Sequence, residues 1–305
     1  MSLTGQIACG PAVAVGGRGR ALLADLVALT KPRIVELLVL TGGATAVVAA
    51  GGWPGVRPLA AVVLGGGMAG AGAGSINCAL EGDLDRRMPR TRQRPVAAGR
   101  LSARVALAQG IVLNILALAL IASATNDLAA GLTLAGTLWY VFMYTLWLKP
   151  RTPNNIVIGG LAGSFPPLVG WAAVTGTVGV TALALAAVIF LWTPPHFWAL
   201  ATLVDDDYRA AGIPMLPAVA GPRRTAQAMY AYALGTVAVS LIPVVAGDLG
   251  VLYLAVALAA GGWLAGACHH HLRRLEPATA RRVFLASLGY LGLLFAATAL
   301  DVVLF

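Results

Sequence analysis

Apolar residues in this chain neither alternate with polar ones, as on a half-buried strand, nor recur on a single helical face. They run on for roughly twenty residues at a time, and the charged residues fall between the runs. A run of about 20 apolar residues crosses roughly 30 Å of hydrocarbon as a helix. Nine such runs predict spans near 34–52, 58–78, 103–123, 127–147, 156–175, 180–203, 225–246, 249–267 and 283–304. The expected fold class is an all-α polytopic membrane protein.

Nine spans make the intervening loops alternate sides, and the basic residues follow that alternation. One side receives Arg18, Arg20, Lys31, Arg33, the cluster from Arg86 to Arg104, Lys149, Arg151, Arg209, Arg223, Arg224, Arg273, Arg274, Arg281 and Arg282. The other side receives only Arg57, and Asp127, Asp248 and Asp301 fall there. Basic loops stay in the cytoplasm, so the N-terminus is predicted to be cytoplasmic. Residues 1–20 lack the feature order of a signal peptide. Residues 1–28 are expected to be a disordered cytoplasmic tail, with 29–305 as one transmembrane domain.

Composition changes this picture little. The 305 residues are 59% hydrophobic and 11% charged, with mean hydropathy +0.82, which excludes a soluble protein. The net charge of +9 would suggest a nucleic-acid partner on a soluble chain. Here the cations sit in membrane-flanking loops, so no nucleic-acid partner is expected. Cys9, Cys78 and Cys268 are far apart and give neither a disulfide framework nor zinc spacing. Residues 65–74 are almost all Gly and Ala, which allows close helix approach inside the bundle.

Two loops share a pattern at an offset of 122 residues: Asp83-Leu-Asp85 with Pro95 and Gly99, and Asp205-Asp206-Asp207 with Pro217 and Gly221. Lys31-Pro32-Arg33 and Lys149-Pro150-Arg151 precede spans 1 and 5 at an offset of 118. Spans 1–4 and 5–8 therefore read as candidate parallel repeats, with span 9 added.

Six of the twelve acidic residues fall in these two matching loops. Positions 77, 81 and 85 drift by only about 40° per step on a helix, so Asn77, Glu81 and Asp85 line one face, with Asp83 nearby. Oxygen donors grouped in this way suit Mg²⁺. Asp205, Asp206 and Asp207 end span 6 at the same depth. A carboxylate at a helix end is often only a solvated partner for arginine, but two such clusters at one membrane face favour function. Arg90 and Arg94, among the arginines that follow the first set, suit phosphate oxygens, and Arg33 and Lys149 lie at the same face. No phosphate loop of nucleotide-binding type is present. His269, His270 and His271 read as a solvated turn. His196 lies inside span 6 after Pro194 and Pro195, which should break the helix. It is a candidate to face a substrate or a haem iron, or to be a satisfied core residue.

Asn77-x3-Glu81-x-Asp83-x-Asp85 with Met88, Arg90-Thr91 and Arg94-Pro95 resembles the first aspartate-rich motif of UbiA-type intramembrane prenyltransferases, in their haem O synthase form. Thr30-Lys31-Pro32-Arg33, Tyr144-Thr145, Leu148-Lys149, Asn155 to Gly160, Pro166-Pro167 and Gly170-Trp171 carry the resemblance further. Pro194 to Leu200, Asp206-Asp207-Tyr208 and Ala211 to Pro217 complete it. The resemblance implies nine helices around a central cavity, with farnesyl diphosphate as donor and haem B as acceptor. It also implies an inner-membrane location and delivery of the product to a haem A synthase or oxidase-assembly factor.

It implies Mg²⁺ held by Asn77, Glu81, Asp83, Asp85, Asp206 and Asp207, a diphosphate clamp of Arg33, Arg90, Arg94 and Lys149, Tyr144 beside the allylic cation, and His196 at the haem. The sequence departs from the wider superfamily at Glu81, where Asp is usual, and at Ala210 and Ala211, which interrupt the second DxxxD. The alternatives are a prenyltransferase for an aromatic or quinone precursor and, outside enzymes, a transporter. Polar residues gathered at one membrane face speak against the transporter.

Overall fold

The computed structural model describes residues 18–305. Among these, nine helices are long and apolar enough to cross a membrane: Pro32–Ala49, Val56–Leu80, Ala103–Ala124, Asp127–Leu148, Asn155–Thr175, Val180–Leu203, Leu216–Val245, Val251–Arg274 and Pro277–Leu304. They are spans 1 to 9 below. Successive spans pack side by side, and span 9 returns to pack on span 1 and on span 6. This closes the bundle around a mostly apolar core.

Local sequence accounts for several helix starts. Ser102 accepts a hydrogen bond from the Val105 amide and Asn126 from the Ala129 amide, capping spans 3 and 4. Prolines occupy the first turn of spans 1 and 9. The first turn of span 8 is capped from another helix, because Asp301 of span 9 accepts from the amides of Gly250 (2.5 Å) and Tyr253 (3.0 Å).

The structure departs from the sequence-based expectation in four places. Residues 18–28 belong to a helix, Arg18–Leu29, and are not a disordered tail; residues 1–17 of that predicted tail lie outside the described residues. This helix is too short to span, yet Leu26 and Leu29 pack on Cys78, Val96, Leu101 and Ala106. A forked Arg100–Asp25 pair and a Gln109–Leu26 carbonyl bond fasten it.

Spans 7, 8 and 9 run several residues further into the basic side than hydropathy suggests, since a helix need not stop where hydrocarbon does. Span 7 begins at Leu216 and turns at Gly221, whose φ of 79° is open to glycine. His269 to His271 are therefore helical rather than a turn. His271 is buried and bonds Thr279 at 2.7 Å. Span 6 continues through Pro194 and Pro195, because neighbouring spans hold it in place where a lone helix would break.

Spans 2 and 6 end alike. Each runs into a short acidic helix, Gly82–Arg87 after span 2 and Asp205–Ala210 after span 6. The small residues of span 2 meet span 3 at Gly72 and Gly110. A Cβ on Gly110 would lie 2.7 Å from the Gly72 carbonyl and 2.5 Å from Ile76. Gly110→Ala is expected to cost about 1–3 kcal/mol through overpacking and to lower the thermal midpoint in detergent. Gly131→Ala, in open space within a helix, should not lower the midpoint, since alanine is the better helix former.

Candidate active site

At the basic-side end of spans 1, 2, 4 and 6 lies a polar chamber of about 90 Å³. Span 2 delivers the oxygens. Asn77, Glu81 and Asp85 recur every four residues and all face the chamber, buried to within 5% of full enclosure. Taking carboxylates out of water demands positive partners, and each of these three side chains has one. Lys31 Nζ donates to Asn77 Oδ1 at 2.5 Å, Lys149 Nζ to Glu81 Oε1 at 2.6 Å, and Arg94 Nη1 to both Asp85 oxygens at 2.9 Å. The Asn77 amide is oriented by its other end, which donates to Thr145 Oγ1 at 3.0 Å.

Burial pulls Lys31 below the usual lysine range. Burial pulls Arg94 the same way, but the negative groups around it, Asp85 foremost, together outweigh burial and the guanidinium ends above its ordinary value. Among the described residues, Arg90 Nε is buried without a partner. Four cations, Lys31, Arg90, Arg94 and Lys149, thus face two carboxylates across the chamber. That surplus of positive charge, with one donor unmet, suits a polyanion.

Lys31 has a left-handed backbone, φ 52° and ψ 57°, just before Pro32. The proline disfavours the right-handed helical region at position 31, and a left-handed lysine is strained, a condition that gathers at functional sites. The turn sits close over span 2. A Cβ on Gly74 would lie 3.2 Å from the Leu29 carbonyl and 3.3 Å from that of Thr30.

Span 4 contributes aromatic rings from a stretch, Trp139–Leu148, wound with i→i+5 hydrogen bonds, as in Lys149 N–H to the Tyr144 carbonyl at 2.9 Å. Such widened turns are frequent at functional sites. Tyr140 and Tyr144 stack with ring centroids 5.6 Å apart, and both line the chamber. Tyr144 presses on Gly159, where a Cβ would lie 2.3 Å from its ring.

A second cavity, of about 190 Å³, runs between spans 1, 2, 4 and 5 and is lined mostly by Gly, Ala, Val and Leu. Lys31 and Tyr140 line both cavities. The charged end of a long ligand can therefore sit in the chamber while its apolar remainder lies in the channel.

Of the predicted site residues, Asn77, Glu81, Asp85, Arg90, Arg94, Tyr144 and Lys149 meet at this chamber. Asp83 does not: two residues from Glu81 and Asp85, it is turned about 200° away, is 86% exposed and pairs with Arg86. Arg33 is exposed, and Lys31 takes the position expected for it. Asp206 is exposed and Asp207 half-exposed; neither lines the chamber. Their neighbour Tyr208 does, and Asp205 pairs with Arg209 at 2.6 Å. Among the described residues no group of three acidic, His or Cys side chains forms a ready metal site.

His196 is turned from the chamber towards span 9. Its ring stacks on Trp192 and Phe284, with Nδ1 2.8 Å from Ser287 Oγ, while the next residue, Phe197, lines the chamber. Lys31, Tyr140, Thr145 and Tyr208 were not among the expected site residues. The repeat held a signal for the first of these, because Lys149 of the matching Lys-Pro-Arg is the residue that enters the site.

A helical membrane bundle whose buried cation-lined chamber continues into an apolar channel is built to hold amphiphiles with an anionic head. The chain belongs to the UbiA prenyltransferase family, which it matches over residues 37–295. It is 50% identical over 285 residues to the protoheme IX farnesyltransferase of Thermus thermophilus, covering 93% of this chain and 47% of that one. The chain thus spans about half the length of that relative.

The enzymes of the same name from Clavibacter michiganensis (43% identical; 90% of this chain, 91% of the relative) and Mycobacterium tuberculosis (44%; 95% and 94%) match nearly end to end. In fold the chain is similar to digeranylgeranylglyceryl phosphate synthase, with a TM-score of 0.77 at 17% identity over 93% of this chain and 99% of that one. It is also similar to a UbiA homologue from Archaeoglobus fulgidus bound to GPP and Mg²⁺, with a TM-score of 0.61 at 17% identity over 90% and 99%.

A charge-assisted hydrogen bond contributes roughly 1.5–3 kcal/mol. Lys31→Ala should therefore weaken binding of inorganic diphosphate with Mg²⁺ about tenfold or more in titration calorimetry. Arg33→Ala should change it less than about twofold.

Proposed function

We propose that the protein is a metal-dependent prenyltransferase that moves farnesyl from farnesyl diphosphate to a vinyl group of haem B, giving haem O. The relatives above that bear the name protoheme IX farnesyltransferase support this reading. The observation that carries it is the meeting of a cationic chamber and an apolar channel at Lys31 and Tyr140, which suits a diphosphate head on an isoprenoid tail.

The residues present fit a magnesium ion. Asn77, Glu81 and Asp85 offer hard, buried oxygens that already hold positive groups. They would be its ligands, with Asp206 and Asp207 at the rim as ligands of a second ion. Mg²⁺, when bound, supplies neutralisation of the charge on the departing diphosphate.

Lys31, Lys149, Arg90 and Arg94 bind the diphosphate oxygens and take up the charge that grows as the allylic C–O bond breaks. The bonding pair leaves with the diphosphate. Tyr144, with Tyr140 stacked beside it, offers ring faces to the allylic cation, and the apolar channel keeps water from it. C1 of the farnesyl group then bonds to the terminal carbon of the vinyl group. Positive charge passes to the carbon next to the macrocycle, where a water oxygen adds and releases its proton to solvent. His196, implied at the haem by the resemblance, is packed against span 9 and turned from the chamber, and takes no step in this mechanism.

The basic loops support a cytoplasmic N-terminus and chamber in a bacterial inner membrane. The apolar product suits direct handover to a haem A synthase or oxidase-assembly factor. Spans 1–4 and 5–8 are proposed as parallel copies, since Lys31 and Lys149 enter one chamber from equivalent positions.

The test is mass spectrometry after incubating reconstituted protein with haem B, farnesyl diphosphate and Mg²⁺. Haem O is expected. Asp85→Asn should lower its rate roughly 10²–10³-fold, the scale for losing one charge-stabilising group, and chelation of Mg²⁺ should abolish it. Prenylation of 4-hydroxybenzoate with haem B untouched would sink the acceptor assignment. Absence of metal-dependent diphosphate release would sink the enzyme reading altogether.

A further inference from the structure

The apolar channel has a closed lower end. Its lining starts at Lys31 and Tyr140, beside the chamber, and its far end is formed by Gly42, Val62, Thr133 and Val169. Val62 and Val169, 3% and 5% exposed, belong to a buried cluster with Ile121, Ala129 and Ala172 that fills the bundle beyond them. Span 5 runs on from Val169 to Thr175, about 9 Å at 1.5 Å per residue, so the channel stops well inside the spanning region. Thr133 and Thr137 also line it, but their hydroxyls donate to the Ala129 carbonyl and to Asn114 Oδ1, at 2.8 and 2.9 Å. The lower wall therefore offers a ligand no free hydroxyl.

The depth of the channel can be compared with the reach of a tail. Lys31 and Gly42 lie eleven residues apart along span 1, about 16 Å. Farnesyl, fully extended, reaches about 13 Å at roughly 1.2 Å per chain bond, and geranylgeranyl about 18 Å. The first ends above the valines, and the second overshoots by roughly 2 Å. A tail kept out of the channel goes into lipid, which is just as apolar. Hydrophobic transfer thus discriminates little between tails, and length must be read by steric fit.

We propose that Val62 and Val169 set the length of the transferred group by closing the channel after three isoprene units. The inference rests on the prenyl diphosphate donor assigned under Proposed function. Gly66 complements the two valines. It lines the channel four residues above Val62, about 6 Å, and a Cβ there would meet nothing within 4 Å. Room for the third isoprene unit depends on the missing side chain at this turn.

The experiment is titration calorimetry of reconstituted protein with geranyl, farnesyl and geranylgeranyl diphosphates and Mg²⁺, a readout that needs no acceptor. Wild type should bind geranylgeranyl diphosphate about tenfold or more weaker than farnesyl diphosphate, the scale of overpacking. The double variant Val62→Ala, Val169→Ala lowers the floor and should bring the two within about twofold. Gly66→Leu raises the floor by a turn. It should weaken farnesyl diphosphate about tenfold and leave geranyl diphosphate within about twofold of wild type. Inorganic diphosphate should bind all three proteins alike, which marks an intact chamber.

Equal affinity of the wild type for farnesyl and geranylgeranyl diphosphates would overturn the inference. So would a Gly66→Leu protein in which geranyl diphosphate weakens as much as farnesyl diphosphate. Either result would leave the donor class standing. Failure of the wild type to bind any of the three, while inorganic diphosphate still binds, would instead overturn the donor assignment, and this inference with it.

Discussion

Carboxylates withdrawn from water at the edge of a hydrocarbon layer must be matched by positive groups in direct contact, and the architecture follows from this demand. Span 2 presents Asn77, Glu81 and Asp85 on one buried face, and three other segments are obliged to bring cations to them. Lys31 reaches in from the strained turn before span 1, Lys149 from the widened end of span 4, and Arg94 from the loop after the first acidic helix. Removing one partner of such a buried pair is far more damaging than the net contribution of the pair suggests. The chamber is therefore also a clasp that joins the ends of spans 1, 2 and 4.

The same pairing explains how one set of side chains serves both a metal and an anion. Each side chain suited to a hard cation already rests against an ammonium or guanidinium, and each of those cations is suited to phosphate oxygens. Loading a metal diphosphate exchanges partners within the set instead of exposing any member. Arg90 Nε, without a partner among the described residues, leaves room for one more acceptor. The small residues of spans 2 and 5 serve this arrangement indirectly. Gly74 lets the Lys31 turn approach, and Gly159 lets the Tyr144 ring lie flat against span 5.

Two aromatic settings flank span 6 and differ in kind. Phe197 and Tyr208 close the chamber beside Tyr144, where ring faces meet developing positive charge. One residue before Phe197, His196 faces the opposite way and is gripped between Trp192 and Phe284. A step of about 100° along the helix thus separates a residue of the chamber wall from one packed into the interface of spans 6 and 9.

Much of this was legible in the sequence, because hydrophobic length and charge placement are one-dimensional properties. Nine apolar runs gave nine spans, and the four-residue spacing of Asn77, Glu81 and Asp85 put them on one face. The ends of spans 7 to 9 were not legible, since hydropathy marks where hydrocarbon stops and a helix continues past it. Nor was the choice of Lys31 over Arg33, which depends on a left-handed backbone two residues away from a helical one. Asp83 and the Asp206–Asp207 pair looked equivalent to Glu81 and Asp85 in composition. Only the packed bundle separated them, because burial is a property of the surface formed when helices meet and not of any one helix. The packing of His196 against span 9 was likewise beyond the sequence, for its partner, the Ser287 hydroxyl, lies ninety-one positions away.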